Sequence, residues 1–143
     1  MGEQHEQRSR EDMRHEYTEV VQNIRHNGNL RFAVFSIFFA VMVGVGIVAF
    51  GKGQFDEHAA AVARIAGFLV IAIFWMYEER LGDFFDHYVR MAVELERSLG
   101  YTQYTTRPAP RLYLPYTKSI FRLFFFLLTL LWVYAVVAVP LNP

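Results

Sequence analysis

The chain has 143 residues, of which 54% are apolar and 20% charged, and its 14 basic residues balance 14 acidic ones. The absence of cysteine excludes a disulfide-stabilised scaffold and thiolate chemistry. Two stretches without any charged residue, 32–50 and 123–139, are too long for the core of a soluble domain of this size. The sequence therefore predicts an all-α integral membrane protein and excludes an ordinary soluble enzyme and a disordered chain.

The first segment, residues 1–29, is predicted to be a cytosolic amphipathic helix. Four apolar residues recur in it at helical spacing: Met13, Tyr17, Val20 and Ile24. Asn27-Gly28-Asn29 is expected to end this helix, because Gly and Asn tolerate the left-handed cap conformation. The apolar stripe either packs on a helix formed by residues 80–100 (of the same chain or of another copy) or binds a different protein.

Three segments are predicted to cross a membrane: residues 30–51, 59–79 and 118–140. The charge-free part of the first, 32–50, would be about 28 Å long as a helix, close to the ~30 Å thickness of a bilayer core. Residues 52–58 form the outer loop. The second span continues into a helical extension, 80–100, which Gly100 ends, and a linker rich in Tyr and Pro, 101–117, leads to the third span.

Small residues line one face of each of the first two spans: Ser36, Ala40 and Gly44, then Ala59, Ala63 and Gly67. Such stripes let helices approach closely. The second span has a short apolar core and polar ends, so we expect it near the axis of a homo-oligomer. The third span, with Phe125, is expected to face lipid, with Trp132 and Tyr134 at the interface.

Basic residues set the orientation of the spans. Of the 14 Lys and Arg residues, only Lys52 and Arg64 fall in the outer segments. Because loops rich in Lys and Arg stay on the cytosolic side, the N-terminus is predicted to be cytoplasmic, in a bacterial inner membrane.

The sequence offers no catalytic or metal-binding motif. The glycines at 51–53 lack the Gly-Lys-Ser/Thr ending of a phosphate-binding loop, and the histidines lack metal-ligand spacing. No serine stands in a nucleophile elbow. We therefore expect a protein that is not an enzyme and holds neither a cofactor nor a metal.

Four residues are candidates for a pore or its mouth: Arg64, Gly67, Glu78 and Glu79. Arg64 either lines a water-filled pore or snorkels to the outer surface beside Asp56 and Glu57. Glu78 and Glu79 either form acidic rings at an inner mouth, as in cation channels, or belong to a solvated turn that pairs with Arg80 and neighbouring helices.

Basic and aromatic residues alternate around the linker, and we consider them a candidate polyanion-binding set: Arg97, Tyr101, Tyr104, Arg107, Arg111, Tyr113, Lys118 and Arg122. Cations that pair with phosphates and rings that stack on bases are what a single-stranded oligonucleotide requires. The same composition also suits anionic lipid headgroups. A third possibility is that the linker docks within the chain, on the six acidic residues between 78 and 96. All three stay open at this point.

The layout resembles the small membrane effectors of bacterial antiviral systems, the SLATT-type proteins and the DNA-responsive membrane effector of Hailong-type defence. The shared features are a helical N-terminal arm around 13–24, closely spaced spans at 32–50 and 59–77, and a helix leaving the membrane at 78–99. The resemblance implies a homo-oligomeric channel, controlled by a nucleotide-type signal from a partner enzyme encoded nearby, that depolarises an infected cell. The alternatives are a non-catalytic accessory or scaffold subunit and a holin-like lysis protein.

The orientation is testable by cysteine labelling, since the chain has no cysteine of its own. A cysteine at Gln54 should react with an impermeant reagent added to intact spheroplasts, whereas one at Gln103 should not. The reverse labelling pattern would reject an N-terminus inside the cell.

Overall fold

The computed structural model describes residues 2–51, 55–106 and 117–139, which contain three α-helices and no strand. The helices are α1 (Gly2–Phe50), α2 (Glu57–Leu99) and α3 (Thr117–Ala138). Each contains a stretch long and apolar enough to cross a membrane. The prediction of an all-helical chain with three potential membrane spans is confirmed.

The expected helix stop at Asn27-Gly28-Asn29 is wrong, because α1 continues through it without a break. A glycine inside a helix costs only about 1 kcal/mol relative to alanine. Ending the helix there would instead leave the backbone groups of two new helix ends without partners. A Cβ atom at Gly28 would meet no neighbouring atom, so no packing contact demands a break.

The chain divides into two compact units, and both long helices contribute to each of them. Among the described residues, the arm unit comprises 2–31 and 80–106. The span unit comprises 32–51, 55–79 and 117–139. The division falls after Arg31 on α1 and after Glu79 on α2.

The arm unit has a small apolar core in which α1 packs on α2. Its buried residues are Val20, Ile24 and Ala92, surrounded by Tyr17, Phe85, Tyr88, Val89, Met91, Leu95 and Tyr104. Of the two interpretations of the stripe on α1, packing on the helical extension of the same chain is therefore what the structure shows.

The end of α2 has the predicted glycine cap. Gly100 has a φ of 76°, in the left-handed region that glycine adopts without strain. The amides of Gly100 and Tyr101 donate to the carbonyl oxygen of Glu96, at 2.8 and 3.1 Å. The cap turns the chain back so that residues 101–106 lie beside the last turn of α2.

The interior of the span unit is filled by apolar side chains of all three helices: Phe38, Ala49, Ala63, Ile71, Phe125 and Trp132. The ring of Phe38 lies 5.0 Å from that of Phe74 and 5.5 Å from that of Phe125, measured between centroids. Trp75 stacks on Phe125, with the planes 6° apart. These ring contacts join α1, α2 and α3 within the span unit.

Two residues of α3 that we expected at lipid or at the interface are buried instead. Phe125 is 1% exposed because it lies between Phe38 and Trp75. Trp132 is 7% exposed, its indole N–H donates to the carbonyl oxygen of Arg64 at 3.0 Å, and its ring lies against Gly67. Because the indole N–H of Trp132 has a hydrogen-bond partner inside the protein, this side chain does not need one at the membrane interface.

Gly67 lies directly against the Trp132 ring, so there is no room for a side chain at this position. A Cβ atom built there would lie 2.1 Å from the Trp132 ring, whereas one at Gly44 would meet nothing within 4 Å. We expect Gly67→Ala to lower the free energy of unfolding by about 1–3 kcal/mol, because the ring must move. Gly44→Ala, the control, should be neutral or stabilising. Thermal unfolding followed by tryptophan fluorescence in detergent measures both variants, and equal melting temperatures would contradict this packing.

Candidate functional site

Arg64 binds the carboxyl ends of two other helices of the span unit. Its Nε donates to the carbonyl oxygen of Ala49 at 3.2 Å and its Nη1 to that of Val136 at 3.5 Å. The guanidinium carbon also lies 5.3 Å from the centroid of the Phe50 ring. Because α1 ends at Phe50 and α3 at Ala138, these oxygens belong to last turns that lack partners within their own helices. One cation therefore caps both helices.

These contacts keep Arg64 inside the unit, where it is only 8% exposed. Both interpretations from the sequence placed its guanidinium in water, either at the outer surface or in a pore. The structure instead gives it backbone oxygens and an aromatic ring. Gly67, three residues along α2, contacts Trp132 of the same chain. Roles of Arg64 and Gly67 in a pore stay predictions.

Near the other end of the span unit, Glu79 and Arg122 form a two-point ion pair. Arg122 Nε lies 2.6 Å from Oε1 of Glu79, and Arg122 Nη2 lies 2.8 Å from Oε2. The pair joins α2 to the first turns of α3 and is partly open to solvent. The sequence placed Arg122 in the polyanion set and left Glu79 between an acidic ring and a solvated turn. The structure pairs the two residues with each other.

Glu78 is buried, with 6% of its surface exposed. Both interpretations of this residue, the acidic ring and the solvated turn, had placed its carboxylate in water. Side chains on adjacent positions of a helix point about 100° apart, so Glu78 and Glu79 face different surroundings. The structure therefore separates two carboxylates that the sequence grouped together.

A second buried carboxylate, that of Glu96, lies in the arm unit and is 0% exposed. Four donors converge on it. The backbone amide of Tyr104 lies 2.8 and 2.9 Å from its two oxygens, and the amide of Thr105 lies 2.8 Å from Oε2. The hydroxyls of Thr105 and Tyr17 donate at 2.8 Å. We call this arrangement the Glu96 cradle.

The cradle keeps Glu96 ionised. Burial by itself would raise the pKa of this carboxyl, but the hydrogen bonds from Thr105, Tyr104 and Tyr17 lower it below the usual 4.5. The partner hydroxyl shifts in the opposite direction. Burial, together with the hydrogen bond and charge of Glu96, raises the pKa of Tyr17 to about 12.

Sequence reasoning missed Glu96 as a site residue, although its position carried a signal. It lies four residues after the buried Ala92 and four before the Gly100 cap, and therefore on the apolar face of α2. A carboxylate on a core-facing position needs donors from elsewhere in the chain. Tyr104 and Thr105, together with Tyr17 of α1, supply them.

The candidate polyanion set is distributed unevenly. Arg107, Arg111 and Tyr113 lie outside the described residues. Arg97 and Tyr101 are exposed in the arm unit, with the Tyr101 ring 5.3 Å from that of Tyr17. The remaining three members are in contact with other parts of the chain. Tyr104 packs in the arm core, Lys118 is half-buried and Arg122 pairs with Glu79.

Comparison of the chain with protein-family models, curated proteins and solved structures finds no match. The resemblance to antiviral membrane effectors therefore rests on the order and length of the helices alone. What the chain can do has to be inferred from the Glu96 cradle, the capping contacts of Arg64 and the surfaces that its helices expose.

The cradle predicts the pH range over which the arm unit is fully stable. The stabilisation from Glu96 is complete above about pH 4.5 and is lost as the pH falls through its lowered pKa. The stabilisation from Tyr17 is complete below about pH 10 and is lost as the pH rises towards 12.

We expect Tyr17→Phe to remove the alkaline loss and to cost about 0.5–1.5 kcal/mol at neutral pH, the usual net value of one hydrogen bond. Tyr88→Phe, which changes another tyrosine of the same cluster, is the control and should keep the alkaline transition. Thermal unfolding in detergent, followed by circular dichroism across pH 3–12, measures both. An alkaline transition that survives in Tyr17→Phe would contradict the assignment.

Proposed function

We propose that the chain is a membrane-spanning subunit that assembles with copies of itself into an ion channel, with its N-terminus in the bacterial cytoplasm. The observation that supports assembly is the small-residue face of α1. Ser36, Ala40 and Gly44 are all exposed, and a Cβ atom at Gly44 would meet nothing within 4 Å. A helix interior favours alanine over glycine, so a glycine without any contact in its own chain suits close approach by another helix.

A pore in this proposal forms between copies. Phe38, Ile71 and Phe125 fill the interior of one span unit, so we place the pore between chains rather than within one. Along α2, the exposed residues recur on one face: Val62, Ile65, Leu69, Ile73 and Met76. A pore lined by such side chains would close by excluding water from an apolar constriction and open by widening.

A scaffold subunit without conduction is the second candidate, and one observation favours it. In the described parts of the spans, Arg64 and Glu78 are buried and Glu79 pairs with Arg122. Large apolar side chains are exposed along all three helices of the span unit, as expected of helices that only pack against lipid or other helices.

The proposed signal acts on the arm unit. The resemblance to antiviral effectors points to an oligonucleotide made by a partner enzyme, and Arg97 and Tyr101 are the members of the polyanion set that are exposed in the described part of the arm unit. A single strand is recognised at least by a cation that pairs with a phosphate and a ring that stacks on a base. Arg97 offers the cation and Tyr101 the ring. In this proposal, binding shifts the pore towards opening and depolarises an infected cell.

Paired glycine variants test assembly. Gly44 and Gly46 both lack neighbours within 4 Å, but they point about 200° apart on α1, and only Gly44 continues the Ser36–Ala40 stripe. We expect Gly44→Leu to weaken association about tenfold, since overpacking a contact costs on the order of 1–3 kcal/mol. Gly46→Leu should assemble like the unmodified chain. Particle mass in nanodiscs measures both, and a monomeric unmodified chain would reject the proposal.

Ion flux into liposomes separates the two candidate functions. A channel predicts flux that falls in Gly44→Leu and rises when short single-stranded DNA is added to vesicles of zwitterionic lipid. An assembled protein without flux, with or without DNA, would favour the scaffold. Flux that responds to anionic lipid but not to DNA would assign the linker to headgroups instead.

A further inference from the structure

Glu96 joins three parts of the chain that are distant in sequence. The carboxylate belongs to the last turn of α2, the Tyr17 hydroxyl comes from α1, and the remaining donors come from Tyr104 and Thr105. The two backbone amides and two hydroxyls form a concave anion site of the kind that binds phosphate or carboxylate ligands. Here the chain supplies the anion itself.

We propose that the Glu96 cradle is a latch that holds residues 101–106 beside the last turn of α2 and can release them while the helices of the arm unit stay packed. The amides of Tyr104 and Thr105 and the hydroxyl of Thr105 all donate to this one side chain. Loss of the carboxylate therefore removes three attachments of the segment at once.

The carboxylate is the principal attachment of this segment. Tyr104 packs in the arm core, and the ring of Tyr101, although exposed, lies 5.3 Å from that of Tyr17. The other four residues, 102, 103, 105 and 106, are exposed. A glutamine at 96 would have nearly the same shape but would keep only one acceptor oxygen and carry no charge. The four donors now share two charged oxygens, so a glutamine would weaken the hold on the segment without a change in side-chain volume.

Hydrogen exchange in nanodiscs tests the latch directly. We expect Glu96→Gln to speed exchange of the Tyr104 and Thr105 amides about tenfold or more, because each has lost a hydrogen bond to a charged group. Glu94→Gln makes the same chemical change at an exposed position two residues earlier and should exchange like the unmodified chain. Unchanged exchange in Glu96→Gln would overturn the latch.

Thr105→Val separates release of the latch from unfolding of the arm unit. It removes one hydroxyl donor and keeps Glu96 in place, so we expect faster exchange at Tyr104 and Thr105 with unchanged protection around Val20 and Ala92. A spin label at Gln103, which is exposed, should become more mobile in both variants. If exchange in the helices of the arm unit speeds up as much as exchange in 101–106 in both variants, the segment and the helices unfold together. That result would reject the latch.

The consequence for conduction rests on the proposed function. Liposome flux that differs between Thr105→Val and the unmodified chain would support control of the pore by the latch. Equal flux, together with faster exchange at 101–106, would overturn that control. Absence of flux in every variant, including the unmodified chain, would reject the channel, while the exchange measurement still decides whether the latch exists.

Discussion

An ionised carboxylate that is removed from water must find its hydrogen bonds inside the protein, or it destabilises the fold by several kcal/mol. Glu96 meets this requirement with two backbone amides and two hydroxyls. The arm unit depends on this arrangement because its apolar core is small, with Val20, Ile24 and Ala92 as its buried residues. The carboxylate joins α1, α2 and the 101–106 segment where apolar contacts alone would hold them weakly.

The span unit also buries one charge and satisfies it inside the protein, but this charge is positive. Arg64 is buried, and its guanidinium receives the carbonyl oxygens at the ends of α1 and α3. Its own backbone oxygen accepts the Trp132 indole N–H. In each unit, one charged side chain thus satisfies backbone groups that a helix end or a turn leaves open. These groups are used within one chain. The surfaces left for other molecules are the apolar helix faces of the span unit, with Gly44, and the exposed polar residues of the arm unit, such as Arg97.

Much of the fold could be predicted from the sequence, because local patterns encode it. Hydropathy located the three spans, the 3–4 spacing of Tyr17, Val20 and Ile24 predicted the face that packs on α2, and Gly100 predicted the end of that helix. The polar contacts could not be predicted, since their partners are far apart in sequence. Tyr17 and Glu96 are separated by 79 positions, and Trp132 and Arg64 by 68. Charge patterns alone placed Arg64 in a pore or at the outer surface, Glu79 in an acidic ring or a solvated turn, and Arg122 at a polyanion. Only the packed helices reveal the partners that these residues have within the chain.

The ionised state of Glu96 is the most direct test of this account. With the chain labelled with carbon-13 at glutamate side chains, the carboxyl resonance of Glu96 can be assigned from its loss in Glu96→Gln and followed by NMR as the pH falls. The cradle predicts a titration midpoint below 4.5, because its donors favour the charged form. A midpoint above 4.5 would mean that burial outweighs the four donors, and it would contradict a charged carboxylate as the centre of the arm unit.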